Sequence, residues 1–447
     1  MGAATYTLYQ AANKTMYRVR RVTPPRSPPA PPSKFAQCSA DKDPRRPKAS
    51  GGSRPLPETP PQPTRQPMKQ PSSKPVAAPV FAAVGFDAQV GELLADLAVT
   101  AQSERILRDI VQAIERLVHP VLPEAKVVSF VNADLASGAA FRVAVPEVDI
   151  VICASPRSLT RLSSASSGQD AGHIKDSRKL VKSALRMCTD RLIHSGRFRF
   201  RRSAFRNDEP KVTLLASPDC VGGGGEAVPI EVSVNSAAPG FNSALLAECG
   251  LIDPRARGLA LLVRRWAKDR GACHVAKGHL PPYAWTLLSI WFLQVGCEEG
   301  PLLPPVSEFE MSSSLVASAP KTHGGAPCAW KPPGDKAKRT VGELFKEFVR
   351  FYNTRFDFQR DSVSVWTGLP GAPRARSASS RWIEDPFDRQ SDVCESLTEA
   401  GMAHLKEELA RADALSDAGA SLAELLEPWS PPESCGGGSS GGASSEG

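Results

Sequence analysis

Three acidic residues carry the strongest chemical signal in this sequence. Glu147 and Asp149 stand one residue apart in the run Val145-Pro146-Glu147-Val148-Asp149-Ile150-Val151-Ile152. An extended strand repeats every two residues, so both carboxylates should face the same side of a sheet. Two charges that close repel each other unless a cation lies between them, and hard oxygen ligands of this kind suit Mg²⁺ or Mn²⁺. Alone, the pattern equally describes a strand with a solvated acidic face. A second strand, Pro229-Ile230-Glu231-Val232-Ser233-Val234-Asn235, changes the balance. If it lies beside the first, Glu231 becomes a third carboxylate at one place. Three carboxylates can hold two metals, one activating an attacking hydroxyl and one neutralising a triphosphate and its leaving group.

The elements around these acids follow from periodicity. Leu93, Leu94 and Leu97 make one short apolar face. Ile106, Leu107, Ile110, Val111, Ile114, Leu117 and Val118 recur at helical spacing, with Ser103 as N-cap and Pro120 and Pro123 as stops. Strands are predicted at Val127 to Val131, Val148 to Ile152, Val212 to Leu215 and Ile230 to Val234, with a polar stretch from Ser155 to Asp176 and a helix over Leu180 to Leu192. Gly222 to Gly225 reads as a hairpin loop and not a phosphate loop, because no Gly-Lys-Ser follows it. After Asn235 the pattern is helical: Asn242 to Gly250, Arg255 to Arg270, Pro281 to Val295, Thr340 to Tyr352 and Thr398 to Ala414. Residues 307 to 339 read as a low-complexity loop.

Composition sets the outer bounds. The chain has 447 residues, 41% of them hydrophobic, and a formal net charge of +8. That charge suits an anionic partner such as RNA or a nucleoside triphosphate, although a basic arm would also supply it. The ten cysteines are scattered singly, with no zinc-ligand spacing, which reads as a reduced, intracellular protein. No apolar run is long enough to span a bilayer, so no membrane partner is expected. The first forty residues carry no acid before Asp41, a pattern shared by organellar transit peptides and plain basic arms; the second reading is preferred. A nuclear or cytoplasmic setting is therefore expected ahead of an organelle.

The run from Pro229 to Gln294, with PIEVSVNSAAPGFNSALLAECGLIDPRARGLALLVRRWAKDRG and then HLPPYAWTLLSIWFLQ, resembles the noncanonical poly(A) RNA polymerase and terminal uridylyltransferase family. That family lies within the DNA polymerase β-like nucleotidyltransferases. VGELFKEFVRFYNTRFDF, from Val341 to Phe358, is similar to its poly(A)-polymerase-associated segment, and IEDPFD, from Ile383 to Asp388, to its nucleotide-recognition loop. The four fragments stand in the family's order, and the resemblance covers about residues 84 to 415.

The resemblance implies an α+β fold, with a small mixed-sheet nucleotidyltransferase (palm) domain, a mostly helical central domain, and the active site in the cleft between them. It implies a catalytic domain over 99–235 and a helical domain from 81–98 and 236–429 (including the associated segment at about 340–390), while composition alone predicts a disordered basic, Pro-rich arm over 1–80 and a disordered Gly/Ser tail over 430–447. The family's catalytic Asp-x-Asp falls on Glu147 and Asp149, and its third acid on Glu231, which makes these three the expected catalytic residues and ligands of Mg²⁺ or Mn²⁺. The Gly-Ser turn that cradles the triphosphate would be replaced by Ser137 and Gly138. Asn242 and Ser243 match the ribose contacts, and Arg264 and Lys268 the triphosphate contacts. Read without the family, those last two are a solvated basic helix face. Tyr283 matches the base-stacking ring, and Asp385 and Asp388 lie at the base edge.

Two catalytic positions are Glu where Asp is usual, and Pro281-Pro282 replaces the family's Ser-Ser before the stacking Tyr. The loop after IEDPFD reads Arg389-Gln390-Ser391-Asp392-Val393, without the His that uridylyl-transferring members carry. The expected activity is therefore template-independent addition of AMP from ATP to an RNA 3′ end. The alternatives are a terminal uridylyltransferase using UTP and a catalytically inactive RNA-binding scaffold. Arg197, Arg199, Arg201, Arg202 and Arg206 alternate with Phe198, Phe200 and Phe205, which suits single-stranded RNA as well as it suits an edge strand. No separate RNA-binding module is recognisable, which leaves RNA recruitment to the arm or to a protein cofactor.

Overall fold

The architecture is set by two apolar cores of different kinds. The computed structural model describes residues 77–131, 148–167, 177–205, 209–221, 227–309, 339–369, 382–388 and 392–430. These all lie in one compact unit of the chain. Expectations for Ser137, Gly138, Glu147, Arg206, the Gly222 to Gly225 loop, Arg389 to Ser391, most of the arm and the tail fall outside the described residues.

The first core is built on a sheet. In chain order come α1 (Phe86–Leu97), α2 (Ala101–Val118), β1 (Lys126–Val131), β2 (Val148–Cys153), α3 (Pro156–Ser167), α4 (Ser177–His194), β3 (Phe198–Ala204), β4 (Lys211–Ala216) and β5 (Val228–Val234). The five strands lie in the order β1-β2-β5-β4-β3. Only β2 and β5 run parallel; the other neighbours are antiparallel. Alternation along each strand divides the sheet into two faces. Val148, Ile150, Ile152, Val212, Leu214, Ile230 and Val232 turn to one face and pack on Ile110 and Ile114 of α2 and Leu185, Cys188 and Leu192 of α4. The residues between them, including Asp149 and Glu231, turn to the other.

The second core is helical. It joins α1 to α5 (Ala238–Ile252), α6 (Pro254–Asp269), α7 (Pro282–Val295), α8 (Val341–Thr354), α9 (Glu399–Asp417) and the short α10 (Leu422–Leu425). Trp266 of α6 meets Trp285 of α7 edge-on at 5.5 Å and Phe345 of α8 at 6.0 Å, and all three rings are fully buried. Such T-shaped pairs favour the ring quadrupoles while excluding water. The fold is α+β, as expected.

Two local readings change. The cap of α2 is Thr100, whose hydroxyl accepts from the Ser103 amide at 3.1 Å; Ser103 lies inside the first turn and is fully buried. The polar stretch after Ser155 is half helix. Ser155 Oγ accepts from the Ser158 amide at 3.1 Å, Pro156 opens α3, and Leu159 drops into the sheet core. Elsewhere the cap matches the sequence signal: Thr340 and Glu343 close a reciprocal capping box on α8.

The carboxyl end of the helical part is fastened by one buried ion pair. Arg270, just after α6, donates from Nε to Glu408 Oε2 at 2.7 Å and from Nη2 to Oε1 at 2.9 Å. Its third nitrogen donates to the Glu427 carbonyl, and its own carbonyl is hydrogen-bonded to His404 Nε2 at 2.8 Å. Removing one partner leaves the other charge buried and unpaired, which typically costs about 3–5 kcal/mol. Glu408→Ala should therefore lower unfolding stability by about that amount in denaturant titration; a change below about 1 kcal/mol would show that water readily reaches Arg270.

Candidate active site

The parallel pairing of β2 and β5 fixes the centre of the site. Asp149 stands directly opposite Glu231 in the register, followed by Ile150 opposite Val232 and Val151 opposite Ser233. Adjacent strands lie about 4.8 Å apart, so two carboxylates leave one sheet face side by side. The third expected acid, Glu147, lies outside the described residues, and no group of three metal-binding side chains occurs among those described.

Asn235 holds this register. It sits at the end of β5 with φ 51°, a left-handed conformation that Asn tolerates better than most residues. From there its amide makes a reciprocal pair with Ala154, just beyond β2. Oδ1 accepts from the Ala154 amide at 2.8 Å, and Nδ2 donates to the Ala154 carbonyl at 2.9 Å. The Asn235 backbone amide donates to the Ile152 carbonyl at 3.0 Å. The side chain thus extends the ladder past the strand ends.

Burial pushes the Asp149 carboxyl upward from the ordinary carboxylate range, and Glu231 and Glu209 push it the same way; Lys211 and Arg264 oppose them. The two described carboxylates are of the kind a divalent cation takes: hard oxygens, in register, on one sheet face. One cation is already present. Lys211 Nζ lies 3.3 Å from Glu231 Oε2. Burial works against the Lys211 charge, but Glu231, Asp149 and Glu209 outweigh it and hold the ammonium above its ordinary range. Lys211 stands immediately before the strand expected from sequence at Val212 to Leu215, and nothing in its local sequence signals this partner.

Arg264 and Lys268 do not form a solvated face. Both are buried on α6. Burial lowers Arg264 from its usual range, with Cys273 and Asp149 raising it, and burial brings Lys268 down to about 8 against Cys273 and Asp269. Arg264 and Asp149 therefore share one electrostatic environment, although they come from different cores. At the start of α5, Asn242 Oδ1 is buried and has no hydrogen-bond partner among the described residues, so it is able to accept from a hydroxyl.

The IEDPFD loop packs on the same place. Asp385 Oδ1 accepts from the Phe387 amide at 2.9 Å and from the Tyr283 hydroxyl at 3.3 Å, so this oxygen shapes its own turn and holds the expected stacking ring. Phe387 stacks on Phe241 at 4.3 Å and 11° between planes, and Phe241 packs with Val151 and Phe130 of the sheet. Pro281 and Pro282, where the family has Ser-Ser, occupy the N-cap and first position of α7, for which a fixed φ is suited. Asp392 Oδ1 accepts from the Cys394 amide at 3.0 Å, again a local turn. Ser243 follows Asn242 on α5, and Asp388 follows Phe387 in the loop.

The arginine row divides. Arg197, Arg199 and Arg201 are exposed around β3, an edge strand, and Phe200 beside them is 52% exposed. A bulge between Phe200 and Arg202 shifts the register by one residue and returns Arg202 to the acidic face. There Arg202 is half-buried, donates from Nε to Thr213 Oγ1 at 3.1 Å and from Nη1 to His274 Nε2 at 3.2 Å. Burial and Arg202 lower His274 to about 4, which leaves its Nε2 free to accept at neutral pH. Arg202 thus bridges the sheet to the segment after α6, unlike its three exposed neighbours.

No family model matches the chain. Mouse poly(A) RNA polymerase GLD2 is 27% identical over 165 residues, 36% of this chain and 34% of that protein. The Schizosaccharomyces pombe poly(A) RNA polymerase cid13 is 28% identical over 193 residues, 40% and 32% respectively. The human terminal uridylyltransferase 7 is 26% identical over 179 residues. The chain is thus similar in sequence to noncanonical poly(A) RNA polymerases and to a terminal uridylyltransferase. It matches about a third of the length of the poly(A) polymerases it resembles. A mutant of the Cid1 poly(U) polymerase bound to MgATP superposes with a TM-score of 0.54 at 17% identity, covering 76% of this chain and 98% of that one. A cytoplasmic RNA terminal U-transferase superposes with a TM-score of 0.53 at 17% identity, covering 77% and 99%. At that identity the likeness establishes the fold. No described helix is long and apolar enough to cross a membrane.

Two outcomes follow for this site. Asn235→Ala removes two hydrogen bonds and leaves Ala in a left-handed conformation, so stability should fall by about 2–3 kcal/mol in denaturant titration. An unchanged midpoint would mean that the clamp does not hold the strands. For Lys268, the free protein favours the neutral amine above about pH 8. A bound triphosphate favours the ammonium, so binding above that pH should take up a proton and binding near pH 6 should not. Calorimetry in buffers of different ionisation enthalpy reads this directly, and Lys268→Met should abolish the uptake. Equal enthalpies in all buffers at high pH would place the triphosphate away from Lys268.

Proposed function

We propose that this chain is a template-independent RNA 3′-end nucleotidyltransferase that adds AMP from ATP. The observation that carries the reading is the placement of Asp149 beside Glu231 on parallel strands, in electrostatic contact with buried Arg264. A site that concentrates carboxylates against buried cations is suited to a metal–triphosphate pair.

Asp149 and Glu231, with Glu147, would hold Mg²⁺ or Mn²⁺. A divalent cation there would supply Lewis-acid neutralisation of phosphate charge and lower the barrier to deprotonating a hydroxyl. The chain's own residues do the positioning. Arg264 and Lys268 grip the triphosphate from one helix face. Asn242 takes a ribose hydroxyl with its unpartnered oxygen, and Ser243 stands next to it. Tyr283, held by Asp385, offers its ring to the base, and stacking of this kind contributes roughly 1–3 kcal/mol without selecting the base. Ser137 and Gly138 would complete the phosphate cradle, and Asp388 would line the base edge. The RNA 3′-hydroxyl attacks the α-phosphorus in line, a new P–O bond forms, and pyrophosphate leaves with the electron pair of the broken bond.

The exposed Arg197, Arg199 and Arg201 with Phe200 form a strip of charge and one ring along the sheet edge, which suits single-stranded RNA. The arm or a protein cofactor would add recruitment. Preference for ATP follows from Asp392-Val393 where uridylyl-transferring members carry a His; UTP is the competing substrate. We place the protein inside the cell, in nucleus or cytoplasm, on its free thiols, among them Cys188, Cys249 and Cys273. The domain limits are proposed as catalytic 99–235 and helical 81–98 with 236–429.

A second reading, an inactive RNA-binding scaffold, is favoured by one feature: the Lys211–Glu231 ion pair already fills part of the acidic centre. The test is extension of a labelled single-stranded RNA with each triphosphate in Mg²⁺ or Mn²⁺. Extension with ATP, reduced at least about 10³-fold in Asp149→Ala, is expected. UTP preferred over ATP would assign the uridylyl branch. Tight RNA binding without extension under any condition would assign the scaffold.

A further inference from the structure

The Lys211 ammonium sits where the chemistry of the site calls for a metal. Lys211 opens β4 and pairs across the ladder with Ser233, while Thr213 pairs with Glu231. Its side chain therefore shares a face with Glu231 and reaches it diagonally, a span that a long side chain covers. Nζ ends 3.3 Å from Glu231 Oε2, with Asp149 and Glu209 as its other electrostatic partners. Glu209 is itself held, accepting from Ser236 Oγ at 2.8 Å. One carboxylate thus pairs directly with the ammonium, and two more act on it electrostatically.

We propose that Lys211 is a resident counter-cation that competes with divalent metal for Glu231 and keeps the metal affinity of the nucleotide-free site low. The inference rests on the reading of Asp149 and Glu231 as metal ligands. Two effects follow from it. The ammonium covers one oxygen that a metal would bind, and it repels a divalent ion placed beside it. It also steadies two neighbouring carboxylates that would otherwise repel each other when no metal is bound. A triphosphate supplies a second anion for the ammonium to face, which releases Glu231. Metal and nucleotide should then bind with positive coupling, and the coupling is reciprocal.

The experiment titrates Mn²⁺ into the full chain without nucleotide, read by the electron paramagnetic resonance of free Mn²⁺. Lys211→Met should bind Mn²⁺ about tenfold or more tightly than the unmodified chain, Lys211→Arg should keep the weak affinity, and added ATP should tighten Mn²⁺ binding less in Lys211→Met than in the unmodified chain. Circular dichroism checks that both variants fold. If Lys211→Met does not fold, Lys211→Gln replaces it with the same expectation. Mn²⁺ bound equally or more weakly in the charge-removing variant, yet lost in Asp149→Ala, overturns the role of Lys211 and leaves the metal site standing. Mn²⁺ binding unaffected by Asp149→Ala overturns both.

Discussion

The structure depends on one constraint: two carboxylates that repel must be held in register on parallel strands. Parallel strands cannot be joined by a tight turn, so the chain between β2 and β5 has to travel through α3, α4, β3 and β4 before it returns. That excursion covers one sheet face with α4 and adds the strands that carry Lys211, Thr213 and Arg202 on the other. Asn235 then closes the pairing at its far end. The acidic face is thereby a consequence of topology. Its charge is offset by Arg264, buried on α6, and by Lys211, half-buried at the start of β4.

The helical core has the complementary task. Trp266 and Trp285 anchor α6 and α7 apolar side inward, and Arg264, two residues before Trp266, lies within electrostatic reach of Asp149 on the sheet. Tyr283 at the start of α7 and Phe387 in the IEDPFD loop approach from the same direction. The packing of Phe241 on Val151 and Phe130, the Arg202–His274 bond and the Arg264–Asp149 attraction are separate ties between the sheet and the helical part, one apolar, one hydrogen-bonded and one electrostatic. A nucleotide bound here would touch residues from both.

Much of this was legible in the sequence. Period-two alternation located β2 and β5, and helical spacing located α2 and α4 to α9, because burial on one face dictates both patterns. Asp149 and Glu231 could be named because their charge interrupts apolar strands, and Arg264 and Lys268 only because they match the triphosphate contacts of the family the sequence resembles. Other features were hidden for physical reasons. Whether Arg264 is buried or solvated depends on what packs above it, which no local window contains. Lys211 meets Glu231 only through strand pairing across a hairpin. The bulge that redirects Arg202 inserts one residue into a strand of alternating Arg and Phe, where periodicity alone leaves the register undefined. The cap at Ser155 was available in the Ser-Pro step before α3, but its surroundings of Ser and Gly masked it.

The most direct measurement is a crystal structure of the protein with Mn²⁺ and a non-hydrolysable ATP analogue, using anomalous scattering to locate the metal. The account predicts a Mn²⁺ peak within coordination distance of Asp149 and Glu231, Lys211 displaced from Glu231, and the triphosphate on Arg264 and Lys268. A triphosphate bound elsewhere, with no metal at Asp149 and the Lys211–Glu231 pair intact, would contradict it.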